Sequence, residues 1–148
     1  MGRFLDARIS QNISQSGQIA IPLSSTPARF GTLGLVTSGA GPNLRVQFTA
    51  TVAISSLAAV LVPVLIEIYR GQGPGRVLVY SATETAPAAG ALLVASRNII
   101  TVTGADYLPP NPPTGLLAYE AFVSIPGGVP VAPTRTGPES FNAAAYSD

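Results

Sequence analysis

The sequence predicts an all-β protein: an antiparallel β-sandwich of the jelly-roll type, with about eight strands and an extended N-terminal arm. Three observations support this prediction. Apolar and polar residues alternate with a period of two in several segments. The 15 glycines and 14 prolines are spread along the chain as turn signals and form no single block. No segment shows the periodicity of a convincing helix. An up-and-down barrel is the alternative arrangement.

The chain divides into three predicted parts. Residues 1–17 form the arm, residues 18–125 the sandwich core, and residues 126–148 a linker rich in proline and glycine that ends in a C-terminal strand. The predicted strands of the core are Gln18–Leu23, Phe30–Thr37, Leu44–Ile54, Val62–Arg70, Arg76–Tyr80, Leu92–Gly104 and Leu116–Ile125. The connections Thr83–Ala91 and Ala105–Gly115 are predicted loops; four prolines prevent the second from pairing as a central strand.

The arm has the pattern of a strand that can pair with an edge. Leu5, Ala7, Ile9 and Ile13 lie on one alternating face, and no proline interrupts the segment. A sandwich has exposed strand edges, and an added strand can cover one of them. We therefore predict that these four residues contact a neighbouring subunit, with Ser14–Gly17 ("SQSG") as the hinge. The alternative is that the arm is the first strand of its own sheet.

The uncharged run Val46–Ile66 has about the length of a membrane-spanning helix. From Leu44 to Ile54, however, the residues alternate with the period of a strand, and Pro63 would cost about 3 kcal/mol inside a helix. The run therefore predicts two strands joined by a buried, apolar crossing, and we expect no membrane insertion. A transmembrane helix is the alternative interpretation.

The segment "YRGQGPGRVLVY" predicts a hairpin. Its glycines resemble a phosphate-binding loop, but such a loop is followed by a helix, and here a strand follows. The glycines are instead expected to supply the positive φ angles of the turn. Arg70 and Arg76 are predicted to face each other at its base, and Tyr69 and Tyr80 to be cross-strand neighbours. Because Arg and Tyr are enriched where proteins meet, we predict that these four residues form a contact surface.

The sequence lacks the residues that most catalytic and metal sites use. It contains no His and no Cys, which excludes the usual serine triad, a Cys nucleophile and the preferred ligands of zinc. The candidate acids Glu67, Glu84, Asp106 and Glu120 are isolated in sequence and are expected to pair with arginines. A carboxylate pair for glycoside hydrolysis is the alternative. We predict that the protein is not an enzyme and uses no cofactor or metal.

The surface is predicted to be unusually neutral. Charged residues make up 10% of the chain, against about 25% in typical domains, and the net charge is +1. This composition provides no basic field to hold nucleic acid. A GC-rich genome would favour Ala, Gly, Pro and Arg and so explain part of it. The functional explanation is that much of the surface is buried against copies of the chain.

In composition and layout, the chain resembles two groups of bacterial spore-surface proteins. Residues Gln18–Ile125, which follow the arm "MGRFLDARISQNISQSG", are similar to the jelly-roll subunits of endospore appendages. They are also similar to the C-terminal domains of collagen-like exosporium glycoproteins. The appendage subunits typically carry cysteines in the arm that cross-link successive subunits, and this arm has none.

This resemblance implies a self-assembling structural protein at the spore or cell surface or outside the cell. Its partners would be copies of itself, joined by N-terminal strand addition into a filament or a surface layer. Low charge, many short strands and the absence of a catalytic inventory indicate the same class independently. The alternatives are a carbohydrate-binding or adhesive β-sandwich and a virion fibre or decoration protein.

Overall fold

The structure is a computed structural model that describes residues 2–58, 60–88 and 94–148. This part of the chain contains nine β-strands, one short 3₁₀ turn and no α-helix. The strands are β1 (Arg3–Ile13), β2 (Ile21–Pro22), β3 (Ala28–Val36), β4 (Arg45–Ser56), β5 (Val62–Arg70), β6 (Val77–Ala86), β7 (Ser96–Tyr107), β8 (Leu116–Ser124) and β9 (Thr134–Ser147).

The strands form two antiparallel sheets in the order of a jelly roll. The first sheet has the order β1-β9-β4-β7, with the short β2 also paired to β9, and the second sheet has the order β3-β8-β5-β6. Among the described strands, only β5 and β6 are neighbours both in sequence and in a sheet. An up-and-down barrel pairs consecutive strands throughout, so that alternative is excluded. The predicted all-β jelly-roll sandwich is confirmed.

The run with the length of a membrane span forms β4 and the start of β5. β4 lies inside the first sheet, between β9 and β7. Val46, Phe48, Ala50 and Val52 point into the core and are almost completely buried, which explains why the run is apolar and yet alternates. The predicted crossing between β4 and β5 is not buried: apart from Ala58, its described residues point into solvent. Within the described residues, no helix is long and apolar enough to span a membrane.

The core lies between the two sheets. Its largest fully buried side chains are Tyr119, Phe30, Phe48 and Phe141. Gly31 allows β3 to approach Phe141 closely, because a Cβ at Gly31 would lie only 2.5 Å from the Cβ of Phe141. This close approach brings β3 of the second sheet beside the centre of β9 in the first.

The hairpin predicted around "GQGPG" is confirmed. β5 and β6 pair antiparallel and are joined through a 3₁₀ turn at Gly73–Gly75. Gly71 and Gly73 have φ angles of 88° and 66°, a conformation that favours glycine.

Strand boundaries on either side of the β6–β7 connection differ from the prediction. β6 continues to Ala86, into the predicted loop Thr83–Ala91. The strand predicted at Leu92–Gly104 corresponds to β7, which begins at Ser96. The end of the predicted loop and the start of the predicted strand, at positions 89–93, lie outside the described residues.

The C-terminal segment differs most from its prediction. β9 has 14 residues and lies inside the first sheet, between β1 and β4. The sequence predicts residues 126–138 as a linker because its prolines and glycines are typical breakers. The sheet accommodates Gly137 and Pro138 at an irregularity in the pairing of β9 with β4. Val52 pairs with Glu139 and Ile54 pairs with Arg135, so β9 advances four residues where β4 advances two. The sandwich core therefore extends beyond residue 125 to the end of β9.

The arm lies along the edge of its own first sheet. β1 pairs antiparallel with β9 from Arg3 opposite Ser147 to Ile13 opposite Glu139. β2 continues along the same edge, with Ile21 opposite Arg135, and is all that forms of the predicted strand Gln18–Leu23. In this structure the arm thus occupies an acceptor edge of the same chain. Its exchange with a neighbouring copy remains a prediction.

Candidate assembly surface

The outer face of the first sheet is nearly free of charge. The outward-pointing residues of its strands β4, β7 and β9 include Arg45, Gln47, Thr49, Thr51, Ala53, Ser55, Arg97, Ile99, Thr101, Thr103, Ala105, Tyr107, Thr134, Ser140, Asn142, Ala144 and Tyr146. Arg45 and Arg97 lie at opposite ends of this surface, and none of these residues between them carries a charge. We call this surface the neutral face.

Threonine pairs occupy the centre of the neutral face. The hydroxyls of Thr51 and Thr101 lie 3.0 Å apart across β4 and β7, and those of Thr49 and Thr103 lie 3.5 Å apart. Because these hydroxyls already have a protein partner, removing them from water costs less than removing unpaired polar groups. The centre of the face is therefore suited to burial.

An aromatic row crosses one end of the neutral face. Phe4 lies opposite Tyr146, Tyr146 opposite Arg45, and Arg45 opposite Tyr107. The rings of Phe4 and Tyr146 pack edge to face with centroids 5.9 Å apart, while Tyr107 is 68% exposed. A groove of about 440 Å³ lies beside Tyr107 and Tyr146 and is also lined by Gln47. Aromatic side chains in this position are typical of protein interfaces.

Arg45 is neutralised at the edge of this row. Its guanidinium lies 2.9 Å from a carboxylate oxygen of Asp148. Asp148 also accepts a hydrogen bond from the amide of Asn43, and these bonds, first from Asn43 and then from Arg45, lower the pKa of the carboxyl. The aromatic rings of the row therefore lie beside an arginine whose charge is paired with that of Asp148.

The outer face of the second sheet differs from the neutral face in its charge. It carries Arg29, Glu67, Arg76 and Glu120. Arg29 and Glu120 form an ion pair at 2.8 Å, in which the Glu120 side chain is almost completely buried. Glu67 accepts a hydrogen bond of 3.2 Å from the hydroxyl of Tyr69. The two outer faces of this charge-poor protein are therefore chemically distinct.

The structure separates the four residues predicted to form a contact surface at the hairpin. Tyr69 and Arg76 lie on the outer face of the second sheet, where the Arg76 guanidinium is 4.4 Å from the Tyr69 ring centroid. Arg70 and Tyr80 lie on the other side of the sheet, toward the first sheet. Tyr80 lies opposite Ile68, and Tyr69 lies opposite Leu78, so the two tyrosines are not cross-strand neighbours.

Arg70 and Tyr80 are engaged inside the domain. Arg70 lies 2.6 Å from Asp106, which also accepts a hydrogen bond of 2.8 Å from the hydroxyl of Tyr119. Burial, and then the negative charge of Asp106, raise the pKa of Tyr119 well above its ordinary value. Tyr80 packs edge to face against Phe48 at 5.5 Å. Arg70 therefore holds the two sheets together and does not face Arg76.

The four predicted arm residues do not share one face. Leu5 packs against the core, whereas Ala7 and Ile9 lie beside the neutral face. The reason is a register shift after Phe4, which interrupts the alternation. Ile13 is half-buried near Gly137. Ile9 is 79% exposed, and it extends the apolar part of the neutral face.

Polar side chains of β1 close the edge between the two sheets. Asp6 accepts a hydrogen bond of 2.8 Å from the backbone N–H of Val36, and Ser10 accepts one of 3.2 Å from the N–H of Thr32. The bond from Val36 is the main cause that lowers the pKa of Asp6. Both N–H groups belong to β3, the edge strand of the second sheet. The arm thereby covers an edge that would otherwise be open to pairing.

A buried ion pair lies under the arm. The guanidinium of Arg135 donates two hydrogen bonds, of 2.6 and 2.7 Å, to the carboxylate of Glu139, which is 0% exposed. Asn12 of β1 donates a third, of 2.7 Å, to the same carboxylate. The sequence prediction missed this network because it treated "TRTGP" as linker. The four-residue spacing of Arg135 and Glu139 was no signal of a contact, because residues at that spacing lie about 13 Å apart along a regular strand.

The candidate acids do not form a metal or catalytic cluster within the described residues. No group of three or more His, Cys, Asp or Glu side chains there is placed to hold a metal ion. Asp106 and Glu120 pair with arginines as expected, although both are buried. The prediction that the protein is not an enzyme remains a prediction.

The fold has similarity to solved structures at low sequence identity. The Eiger TNF of S. frugiperda is 12% identical, with a TM-score of 0.48, and the match covers 96% of this chain and 92% of that chain. Dimeric latent PorU from Porphyromonas gingivalis is 13% identical, with a TM-score of 0.45, and the match covers 98% of this chain and 13% of that one. No protein-family model and no curated protein matches the chain. The likeness to these structures concerns the fold alone.

Proposed function

We propose that the protein is a structural subunit of an extracellular filament or surface layer that associates with copies of itself through the neutral face. One observation carries the proposal: in a chain whose other outer face has four charged residues, the neutral face has none between Arg45 and Arg97. Its threonine hydroxyls are paired, and aromatic rings lie at one end. Burying such a surface costs little free energy, because its hydroxyls keep their hydrogen bonds and its aromatic rings are apolar.

The size of the neutral face is close to what stable association requires. The three strands of the neutral face and the adjoining β1, about 4.8 Å apart and each with ten residues at about 3.3 Å, give an area of roughly 600 Å². A standard interface buries about 800 Å² on each partner. Ile9 and Phe4, both more than half exposed at the adjoining edge, add apolar surface to this area.

Strand addition by the arm is a further part of the proposal. Specific side-chain contacts hold β1 in place: Asn12 donates a hydrogen bond to Glu139 of β9, and Asp6 accepts one from the backbone N–H of Val36 in β3. An edge with such contacts selects this strand, and a copy of the strand from a neighbouring subunit carries the same groups. The turn at Ser14–Gly17 between β1 and β2 is the hinge at which the exchange would occur.

Carbohydrate binding is a second candidate function of the same surface. The groove of about 440 Å³ combines the rings of Tyr107 and Tyr146 with the amide of Gln47. Aromatic rings and planar amides are groups that bind sugar rings through apolar and hydrogen-bonding contacts. Binding of a glycan by a protein that stays monomeric would favour this function over self-assembly.

A charge placed on the neutral face is expected to prevent assembly. In Thr103→Arg, each copy would bury an unpaired guanidinium, so we expect the dissociation constant of self-association to rise at least about 100-fold. The domain itself should stay folded, because an exposed substitution of this kind changes stability by about 0.5 kcal/mol or less. Static light scattering of the purified variant measures the effect.

Thr83→Arg is the matched control for this experiment. Thr83 is also an exposed threonine on the outer side of an edge strand, but it lies on the second sheet, opposite Leu65. We expect Thr83→Arg to assemble like the unmodified protein. Equal assembly of both variants would contradict the assignment of the neutral face, and equal loss would indicate a nonspecific effect of charge.

A further inference from the structure

The two sides of the sandwich differ in how their strand edges are covered. On one side, Asp6 and Ser10 of β1 accept hydrogen bonds from the edge of β3. On the other side, β7 is the last strand of the first sheet, and among the described strands it pairs only with β4. A slot of about 180 Å³ lies there between β7 and β6, the last strand of the second sheet. We call the free side of β7 the β7 edge.

The main-chain groups of alternate β7 residues point toward the β7 edge. Leu108, directly after β7, donates its N–H to the carbonyl oxygen of Leu44 at 3.0 Å, so these two residues form a hydrogen-bonded pair of the β4–β7 ladder. Because such pairs alternate along an antiparallel ladder, the even-numbered residues of β7 bond to β4. The residues whose N–H and carbonyl groups point away from β4 are Arg97, Ile99, Thr101, Thr103, Ala105 and Tyr107.

The β7 edge lacks the features by which proteins usually prevent strand pairing. Those features are short length, charged residues, prolines and bulges. β7 has 12 residues, contains no proline and pairs with β4 without a register shift. No charged residue lies between Arg97 and Asp106. The edge is therefore suited to pairing with a further strand.

We propose that the β7 edge pairs antiparallel with the β7 edge of a second copy, in a two-fold register centred on Val102. In this register Thr101 lies opposite Thr103 of the second copy, and Ile99 lies opposite Ala105. Pairs of threonines and pairs of apolar residues stabilise a sheet when they face each other across two strands. The full overlap provides about twelve main-chain hydrogen bonds, two for each hydrogen-bonded pair of residues.

The charges at the ends of β7 favour a second copy as the partner. In the same register, Arg97 lies opposite Tyr107 of the second copy, and Asp106 lies opposite Asn98. No like charges meet, although both strands have the same sequence. An arginine beside an aromatic ring is also a favourable pair. The strand is thus complementary to itself.

Pairing at the β7 edge would also join the neutral faces of two copies. The combined face would measure roughly 1,200 Å², which exceeds the area of about 800 Å² that each partner buries in a standard interface. The pairing itself depends on main-chain groups and not on burial of the neutral face. Thr103→Arg would place two guanidinium groups at diagonal positions of the paired strands, so it weakens both contacts. Other variants are needed to distinguish them.

Disulfide cross-linking can test the pairing, because the chain contains no cysteine of its own. Opposite residues of a hydrogen-bonded pair have Cα atoms about 5.5 Å apart, which suits a disulfide. Under mild oxidation, a mixture of Thr101→Cys and Thr103→Cys should therefore give a covalent dimer, at least about tenfold more than either variant alone. A mixture of Thr101→Cys with Thr32→Cys, on the exposed part of β3, is the control and should give none.

A proline at position 99 tests whether main-chain bonds hold the pair. In Ile99→Pro no bond to β4 is lost, because the N–H of Ile99 points to the β7 edge. Added to both cysteine variants, this change should lower the cross-linking yield at least about tenfold. Ile99→Thr keeps the N–H and should leave the yield unchanged. Ala105→Pro is the second blocking variant if Ile99→Pro folds poorly.

The outcomes distinguish edge pairing from contact through the neutral face alone. Equal yields in the mixture and in the single variants, no cross-link in the mixture, or a yield that survives both prolines would overturn the proposal. Loss of the cross-link in Ile99→Thr as well would also overturn it, because a side chain and not the main chain would then hold the two copies. Each cross-link is measured on variants whose circular dichroism matches that of the unmodified protein.

Discussion

Replacing Glu139 with glutamine is expected to destabilise the domain by about 3–5 kcal/mol, because it leaves the buried guanidinium of Arg135 without a counter-charge. Both side chains are almost completely removed from solvent, and the carboxylate accepts three hydrogen bonds. Glutamine keeps the shape of the side chain but not its charge. Urea denaturation followed by circular dichroism gives the change in the free energy of unfolding.

The double variant Arg135→Met, Glu139→Leu is the control for that experiment. It removes both charges and fills the space with apolar atoms, so its stability should be close to that of the unmodified protein or above it. The third partner, Asn12, is exposed and can turn to water. A loss as large as that of Glu139→Gln would mean that packing around β9, and not the unpaired charge, determines the result.

Deletion of residues 1–16 is expected to have the second largest effect. It removes β1 and with it three side-chain hydrogen bonds, made by Asp6, Ser10 and Asn12 to the rest of the domain. At about 1 kcal/mol for each bond, the truncated protein should lose at least about 3 kcal/mol. A strand that contacted only a neighbouring subunit would be dispensable for the stability of its own domain, whereas β1 makes these contacts within its own chain.

A synthetic peptide of residues 1–16 should restore the stability of the truncated protein. The β9 edge then accepts β1 from another molecule, which is the chemical step that strand addition between subunits requires. A peptide with Asp6→Ala and Asn12→Ala is the control and should bind more weakly. If the unmodified peptide does not raise the melting temperature of the truncated protein, β1 functions only as a strand of its own chain.

Local pattern was sufficient to predict most of the strands. In β4 and β8, every second residue from Val46 and from Leu117 is buried, and the sequence shows this alternation directly. The hairpin at Gly71–Gly75 was also predictable, because its turn needs residues that tolerate positive φ. These elements depend on side-chain periodicity and on turn chemistry, which are local properties.

The predictions that failed depend on tertiary context. β9 contains a Gly-Pro pair that would end most strands, but the sheet absorbs it at an irregularity opposite β4. The alternation of the arm predicts one face for Leu5 and Ile9, and a register shift gives them different surroundings. The exposure of Leu57 and Leu61 was not predictable, because composition does not distinguish a buried crossing from an exposed loop.

The neutral face could be predicted only in part. The low charge of the chain indicates that some surface is suited to burial, but the pairing of β4 with β7 and β9 determines which surface that is. Thr49 and Thr103 are more than 50 residues apart in sequence, and only their register makes them neighbours.

Sedimentation velocity of the unmodified protein tests self-assembly most directly. One chain has a mass of 15.1 kDa. We predict particles of several times that mass at low protein concentration, and a return to single chains when Thr103 is replaced by arginine. A single species of 15.1 kDa at every concentration would contradict the account.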